Sequence, residues 1–434
     1  MSAALRSFEA QWRARTADAL QPIREQAMQR FLKLGLPTSR DETWRYTDLR
    51  SLAAQSFEPA PCEPRGNIDP AASLSLVDAD QHAATLRLIN GCLPPSADKQ
   101  AINGIEISSI KALSQSDPKS LARFFPTGSD ADQRRWVLLN TALFIDGLYL
   151  KITRRVTEPL VILHVSTGER AHEAAHPRII IDAAPGSSAT IIEHHVSHGD
   201  IAPLNNSNTH ISLGMDAQLE HYRVYATGAG ASHLDSLDIH QAHGSHCRQF
   251  TIVLGGGLVR SSLEAHLNQP GASLDSHSLL VGHEDRHVDC VNIVTHAAPN
   301  TRSRQTARAI AGDVSRVVFN SKVIVNAGAV GSDSQQSCRG LLLSPGAEID
   351  TRPQLEIHAD EVKCAHGATT GRLDPDMLFY LLSRGLDRET AQSLLVFAFL
   401  ADTLTGMSVS SARAAIENAL ISQLPDSQLL RKFR

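Results

Sequence analysis

The residues best placed to do chemistry are Cys364 and His366, separated by one alanine in the stretch Pro353-Gln-Leu-Glu-Ile-His-Ala-Asp-Glu-Val-Lys-Cys-Ala-His-Gly-Ala-Thr-Thr-Gly371. Leu355 and Ile357 alternate with Glu356 and His358, the period-2 pattern of a half-buried strand. After a turn at Asp360-Glu361 a second short strand carries the pair, and a thiol and an imidazole two residues apart on a strand point to the same face. Both are good ligands for iron or zinc. On local pattern alone a buried cysteine and a hydrogen-bonded histidine fit equally well. Position favours chemistry, because strand grammar ends just after Gly371 and the edge of a last strand has to be covered by something. Cys338 lies one coil earlier.

Other clusters carry weaker signals. Seventeen of the 20 histidines fall between His164 and His296. Among them His240-x-x-His243-x-x-His246 has a spacing that suits metal binding on a helix, yet it sits in turn-and-strand context. The expectation for these histidines is half-polar residues on strand faces looking at solvent. Asp235, Asp238, Asp275 and Asp289 could supply paired carboxylates for hydrolysis, as in β-helical carbohydrate enzymes, but nothing in the sequence converges them and sugar-binding aromatics are scarce. Gly255-Gly256-Gly257 is followed by no Gly-Lys-Ser/Thr, so it is not a phosphate-binding loop.

The elements that must position these residues are legible by period. From Arg135 to Lys363 short alternating runs are separated by small turns at Pro185-Gly186, Met215-Asp216, Gly244-Ser245, Pro270-Gly271, Pro299-Asn300, Gly328-Ala329 and Pro345-Gly346. The second residues of the first five are 30, 29, 26 and 29 apart, a repeat of about 28 residues that is the signature of a stacked solenoid. Asn-Gly and Asp-Gly hairpin turns are scarce, so a parallel β-helix fits better than a sandwich or barrel.

Helices flank this core. Ala4, Phe8, Trp12 and Arg15 share one face, Pro22 opens a second helix that Gly35 and Pro37 close, and Thr47 is the expected N-cap of a short third. Trp44 and Tyr46 either form a ligand platform or pack the start of that helix, and packing is the expectation. Residues 57 to 130, punctuated at Pro59, Pro61, Gly66, Pro70, Pro94 and Pro95, read as short connecting elements with a hairpin at Leu86-Arg-Leu-Ile-Asn-Gly91. Asp374 and Asp387 cap two C-terminal helices, and a third runs from Ser410 to Leu424. The stripe Leu378, Leu382, Leu394 and Leu395 is best accounted for by packing together with contact to a partner. The domains are therefore 1–130, helical and mixed; 131–366, the parallel β-helix; and 367–434, helical.

A length of 434 residues with 42% hydrophobic content supports a sizeable core, and 5% aromatic residues make it aliphatic. A net charge of -5 with no basic block argues against nucleic-acid binding. The N-terminus has no apolar segment of a secretory signal, and the run Leu394 to Leu400 meets Asp402 too soon to cross a bilayer, so a soluble, cytoplasmic protein is expected. The six cysteines, at 62, 92, 247, 290, 338 and 364, form no C-x-x-C pair and are expected as reduced thiols.

Pro353 to Ile357, Asp360 to Thr369 and Phe379-Tyr380-Leu-Leu-Ser-Arg384-Gly385 closely resemble the SufD family of iron–sulfur cluster assembly subunits. Glu42-Thr-Trp44-Arg-Tyr46-Thr is similar to the N-terminal signature of that family. The paralogous SufB family has an acidic-His-acidic motif where this chain has Cys364-Ala-His366-Gly, and a cysteine-rich N-terminal motif missing here. The resemblance implies a right-handed parallel β-helix flanked by N-terminal and C-terminal helical regions. It also implies a non-catalytic scaffold subunit in complex with a SufB-like paralogue and a SufC-like ATPase. It places the ATPase on the C-terminal helices and the paralogue at the last coils. There His366, with Cys364 adjacent, takes part in cluster assembly and is a candidate ligand for transient iron or an iron–sulfur cluster, none being firmly held by the isolated chain. It extends to iron acquisition, and leaves open a homodimer in isolation. Cys338 falls near a functional cysteine of the paralogue, which SufD relatives need not share. The alternatives from other classes are a β-helical carbohydrate-active hydrolase or lyase and a stand-alone metal-binding protein.

Overall fold

The computed structural model describes residues 2–63, 76, 82, 84–94, 102–125, 134–168, 170, 172–198 and 203–424. At the N-terminus, α1 (Ala3–Ala14) starts under a Ser2 cap, and α2 (Gln21–Leu34) has proline in its first turn and ends at Gly35 with φ 68°. They are followed by α3 (Arg50–Ala53), β1 (Glu58–Pro59), β2 (Ala84–Ile89), β3 (Ile105–Ser109), α4 (Ile110–Ser116), α5 (Pro118–Ala122) and α6 (Arg135–Leu143). Then come β4 (Leu148–Ile152), β5 (Leu160–Thr167), β6 (Glu173–Ala175), β7 (Arg178–Ala183), β8 (Ser188–His198), β9 (Leu204–Asn205), β10 (Asn208–Leu213), β11 (Gln218–Ala226), β12 (Ser232–Gln241), β13 (His246–Val253) and β14 (Leu258–Leu267). The core closes with β15 (Ser273–Gly282), β16 (His287–His296), β17 (Arg302–Ala311), β18 (Arg316–Val325), β19 (Asp333–Leu342), β20 (Glu348–Ile357) and β21 (Lys363–Gly371), before α7 (Pro375–Ser383), α8 (Arg388–Ala401) and α9 (Ser410–Ser422).

Strands alternate between two sheets. One runs β2-β5-β8-β11-β13-β15-β17-β19-β21 and the other β20-β18-β16-β14-β12-β10-β7-β4-β3. Pairing is parallel throughout these paths except between β3 and β4, giving a parallel β-solenoid of about seven turns. The repeating turns of the sequence are its corners. Gly186, Asp216, Gly244, Gly271, Asn300, Gly331 and Glu361 all have positive φ, between 54° and 76°, where glycine, asparagine and aspartate are least strained. The corners stack: the N–H groups of Gly186, Asp216, Gly244, Asn300 and Gly331 donate to carbonyls of Met215, His243, Pro270, Val330 and Glu361 in the next coil. Gly255-Gly256-Gly257 also serves the stack, since a Cβ on Gly255 or Gly257 would collide with the carbonyl oxygens of Thr227 and Ala229.

The lumen has two apolar cores with a polar stripe between them. On β11, Leu219 belongs to one core and Tyr225 to the other, with His221 and Arg223 between; on β13 the order is Cys247, Gln249, Thr251, Val253; on β15 it is Leu274, Ser276, Ser278, Leu280.

Each sheet is also strapped from outside. The N-terminal segment crosses four strands of one sheet: Arg260 of β14 lies 3.8 Å over the Trp44 ring and pairs with Asp289 of β16, which also accepts from Thr47. Arg316 of β18 stands 5.5 Å from the Tyr46 ring, and Arg352 of β20 pairs with Glu42 at 2.5 Å. The C-terminal helices cover the other sheet, packing Val396, Leu400, Leu404, Ile416 and Leu420 on Tyr222, Phe250, Leu279 and Ile310. Arg308 on β17 reaches Asp402 at 2.8 Å, and Ser408 N–H donates to Glu220 on β11 at 2.9 Å.

Several expectations change. Thr47 does not cap the third helix, which follows Leu49; its hydroxyl is spent on Asp289 and, at 2.9 Å, on His287 Nε2. Trp44 is buried packing. The segment at Leu86 to Gly91 is not a free-standing hairpin, because β2 pairs parallel with β5 as the first strand of its sheet, although Ile89 and Cys92 do bridge across a tight turn. That turn brings Cys92 to Cys62, joined as a disulfide, so these two are not thiols; Asn90 donates to Pro61 O at 2.8 Å beside them. The parallel ladder thus starts at Ala84 and continues to Gly371. Gly66, Pro70 and Pro95 lie outside the described residues. Among the described residues no helix is long and apolar enough to cross a membrane.

The straps give a graded prediction. Arg260→Ala leaves Asp289 buried without its cation and should cost about 3–5 kcal/mol, whereas Arg352→Ala breaks a solvent-exposed pair and should cost under about 1 kcal/mol; urea midpoints of the full chain measure both. Acid gives a second. Burial drives the pKa of His176 and of His194 from 6.5 to about 3, so between those values the unfolded chain binds the extra protons. Stability should fall as pH drops below about 6.5, by about 1.4 kcal/mol per pH unit for each histidine, read as midpoints between pH 7 and pH 5.

Candidate functional site

Strand β21 carries Cys364 and His366 and is the last of its sheet, bonded among the described residues to β19 alone. The register sets Cys364 opposite Ser334, His366 opposite Gln336 and Ala368 opposite Cys338, all three β19 residues being buried. Cys364 packs against the first lumenal core. The i, i+2 alternation therefore turns both Cys364 and His366 toward the lumen at its open mouth, where His366 is exposed because no coil follows. Burial pushes the Cys364 thiol up, with a backbone hydrogen bond at Ser334 acting the other way. Neutral sulfur is thus the resting state, and a metal or a partner's cation is needed to draw out the thiolate. Cys338, one coil deeper, is buried and its thiol is pushed up to about 12 by burial, which marks it as an inert core residue.

Behind His366 the same ladder row continues inward through Gln336, Gln305, Ser276, Gln249 and His221, one residue per coil. The side-chain amides of Gln305 and Gln336 have no hydrogen-bond partner, while Ser276 Oγ donates to Gln249 at 3.1 Å. The row ends beside Glu193, a fully buried carboxylate that lies 3.0 Å from His164 Nε2 and 2.8 Å from His221 Nε2, and accepts from Thr209 Oγ1 at 2.8 Å. Burial pushes Glu193 up, but the hydrogen bonds from His164 and His221 and the charges of His221 and Arg223 outweigh that and hold it well below the usual carboxylate range.

Histidines expected to face solvent therefore include several that face the lumen. His164, His195, His221, His233 and His296 are all buried. The sequence pattern concealed them because a neutral imidazole on an inward position can be satisfied by hydroxyls, as His296 is by Thr301 and Ser303 at 2.8 Å each. The His240, His243, His246 triplet does not converge. His240 stacks between His210 and His266 on the outside of one sheet, while His246, on the other sheet, lies 2.9 Å from Ser273 Oγ. Nor do the four aspartates: Asp238 and Asp289 are paired with Arg134 and Arg260, Asp275 lies 3.8 Å from His246, and Asp235 faces the lumen.

On the C-terminal helices Leu378 is buried, and Leu382, Leu394 and Leu395 are half-buried, so that stripe largely packs inward. The apolar side chains that α7 turns outward are Met377, Phe379 and Tyr380, 58%, 71% and 57% exposed, with Arg384 5.2 Å from the Tyr380 ring. Helical spacing alone did not separate the two faces, because α7 is apolar nearly all round.

Residues 164–399 match the SufBD core domain of the SUF system for FeS cluster assembly, and residues 5–162 match the SufBD protein N-terminal region. Iron-sulfur cluster assembly protein SufD of Escherichia coli (strain K12) is 30% identical over 91% of this chain and 90% of its own length. An iron-sulfur cluster assembly SufBD family protein of Synechocystis is 28% identical over 89% and 87%, and SufD of Bacillus subtilis is 23% identical over 68% of each. The core match spans the solenoid from His164 in β5 to Phe399 in α8, mouth strand included, and the chain belongs to the SufBD family of iron–sulfur cluster assembly proteins.

Proposed function

We propose that the chain is a non-catalytic scaffold subunit of a cytoplasmic SufBCD-type complex, and that its open β-helix mouth meets a SufB-like paralogue while its C-terminal helices receive a SufC-like ATPase. The observation that carries this reading is β21 itself, a terminal strand with one ladder edge unbonded and two metal-capable side chains turned to the open lumen. An unbonded edge of this kind is a template for a strand of another chain. Iron or a nascent cluster is the cargo at that junction. His366 supplies an imidazole of intermediate softness, Cys364 a softer sulfur, and the partner's own ligands complete the set. Iron acquisition would use the same residues.

His366→Ala should leave folding and three-subunit co-purification intact while removing cluster supply in cells that depend on this pathway, with a smaller loss for Cys364→Ala. Normal cluster-enzyme activity in the His366 variant would reduce the mouth to a structural coil end; loss of the complex would make His366 an interface anchor. Exposed aromatics of the kind found on α7 are typical binding anchors, so Phe379→Ala and Tyr380→Ala should each weaken ATPase co-purification by about tenfold or more. Deleting the whole helical region is a poorer test, because it uncovers Tyr222 and Phe250. Undiminished ATPase binding by both point variants would place docking elsewhere.

A further inference from the structure

Separate from the mouth, and independent of its reading, the lumen brings together a second set of ligands. His195 projects inward from β8, and His233 and Asp235 project inward from β12 on the facing sheet. They are 2%, 0% and 1% exposed. Each offers one ligand atom within 4.8 Å of the atoms offered by the other two. His195 Nε2, His233 Nδ1 and Asp235 Oδ2 all lack a hydrogen-bond partner.

For His233 and Asp235 the remaining polar atoms explain why these are left over. His233 Nε2 lies 3.3 Å from Thr227 Oγ1, and a proton on that nitrogen leaves Nδ1 as a lone pair. Asp235 Oδ1 accepts the Ser207 N–H at 2.8 Å, leaving Oδ2 to face the histidine. The separation of His233 Nδ1 and Asp235 Oδ2 is 3.4 Å. That is the spacing of two ligands at a tetrahedral angle on an ion about 2.1 Å from each. Neutral imidazoles and a carboxylate are also a donor set that suits iron(II) or zinc rather than calcium or magnesium.

We propose that His195, His233 and Asp235 form a buried two-histidine, one-carboxylate site for a divalent first-row metal ion inside the β-helix. Arg223 belongs to its surroundings. The guanidinium lies 3.8 Å from Asp235 Oδ2 and none of its nitrogens has a hydrogen-bond acceptor. A divalent ion carrying one anionic ligand such as hydroxide supplies that acceptor. It also brings the sum over Glu193, Asp235, Arg223, metal and anion to zero, where the three protein groups alone carry one net negative charge. His164, stacked on His195 with ring centroids 4.2 Å apart and bonded to Glu193, fixes the His195 ring against the second wall.

The site is enclosed, so the ion enters as the chain folds. The test is therefore made on full-length protein produced in cells supplied with Co2+, purified, and treated with a chelator. The wild-type chain and His366→Ala should both retain roughly one ion per chain, with visible d–d bands of four-coordinate cobalt and no thiolate charge-transfer band. His233→Asn and Asp235→Asn should retain about tenfold less, with His195→Gln as a third variant should either fail to fold. Folded wild-type protein without chelator-resistant metal overturns the proposal, whatever the variants do. So does metal retained undiminished in a folded variant, or a thiolate band placing cobalt on a cysteine.

Discussion

In a parallel β-helix the backbone of each coil finds its hydrogen-bond partners in the coils before and after it, so the whole solenoid depends on an uninterrupted ladder and on what happens where the ladder stops. Here the corners carry much of the continuity. A left-handed residue recurs in coil after coil from Gly186 to Glu361, and at Gly186, Asp216, Gly244, Asn300 and Gly331 its N–H reaches a carbonyl of the following corner. The stack cannot police its own ends. At the N-terminal side the antiparallel β3 ends one sheet, and α6 packs with the N-terminal helices on the outer face of that sheet, against Ala174, Leu204 and Leu234. At the C-terminal side β20 and β21 remain uncovered, and the residues on β21 are nearly all exposed.

The two straps answer a related weakness. Parallel strands in neighbouring coils hold one another edge to edge, but little in the ladder resists bending of the stack as a whole. Glu42, Trp44, Tyr46 and Thr47 touch β20, β14, β18 and β16 respectively, so that together they span four strands of one sheet, and the C-terminal region spans β11 to β17 on the other. The motif whose aromatics invited a ligand reading is thus a set of fasteners. Arg260 stacks on Trp44 and neutralises Asp289 at once, a combination open to a planar guanidinium and closed to an ammonium.

Much of this was legible in the chain. The turn spacing identified the solenoid because strained corners restrict which residues can occupy them, and the caps at Asp374 and Asp387 identified the last helices because their side chains accept the orphan N–H groups of the first turn. The place of Cys364 and His366 on the last strand was also legible, because a strand pattern stops there and a helix pattern starts. What stayed hidden depends on long-range pairing. Nothing local in Leu86 to Ile89 says that its partner is β5, and nothing near Cys62 points to Cys92. The lumenal histidines were misread because solenoid interiors are assumed apolar. Inward positions on β11 hold His221 and Arg223 between Leu219 and Tyr225, and polar residues there look like an outward face until the sheets are closed.

The short connection between the mouth and the outer layer has a mechanical consequence. Strand β21 ends at Gly371 and α7 begins at Pro375, with Leu373 of the link seated on the outer core. Three residues span at most about 11 Å, so there is little slack to absorb movement. Met377, Phe379 and Tyr380 are thus tied through this short link, as well as through the packing of α7 on α8, to a strand clamped along one edge instead of two. Shear along that single seam would displace Cys364 and His366 together relative to Ser334 and Gln336. The geometry makes α7 a handle on the mouth.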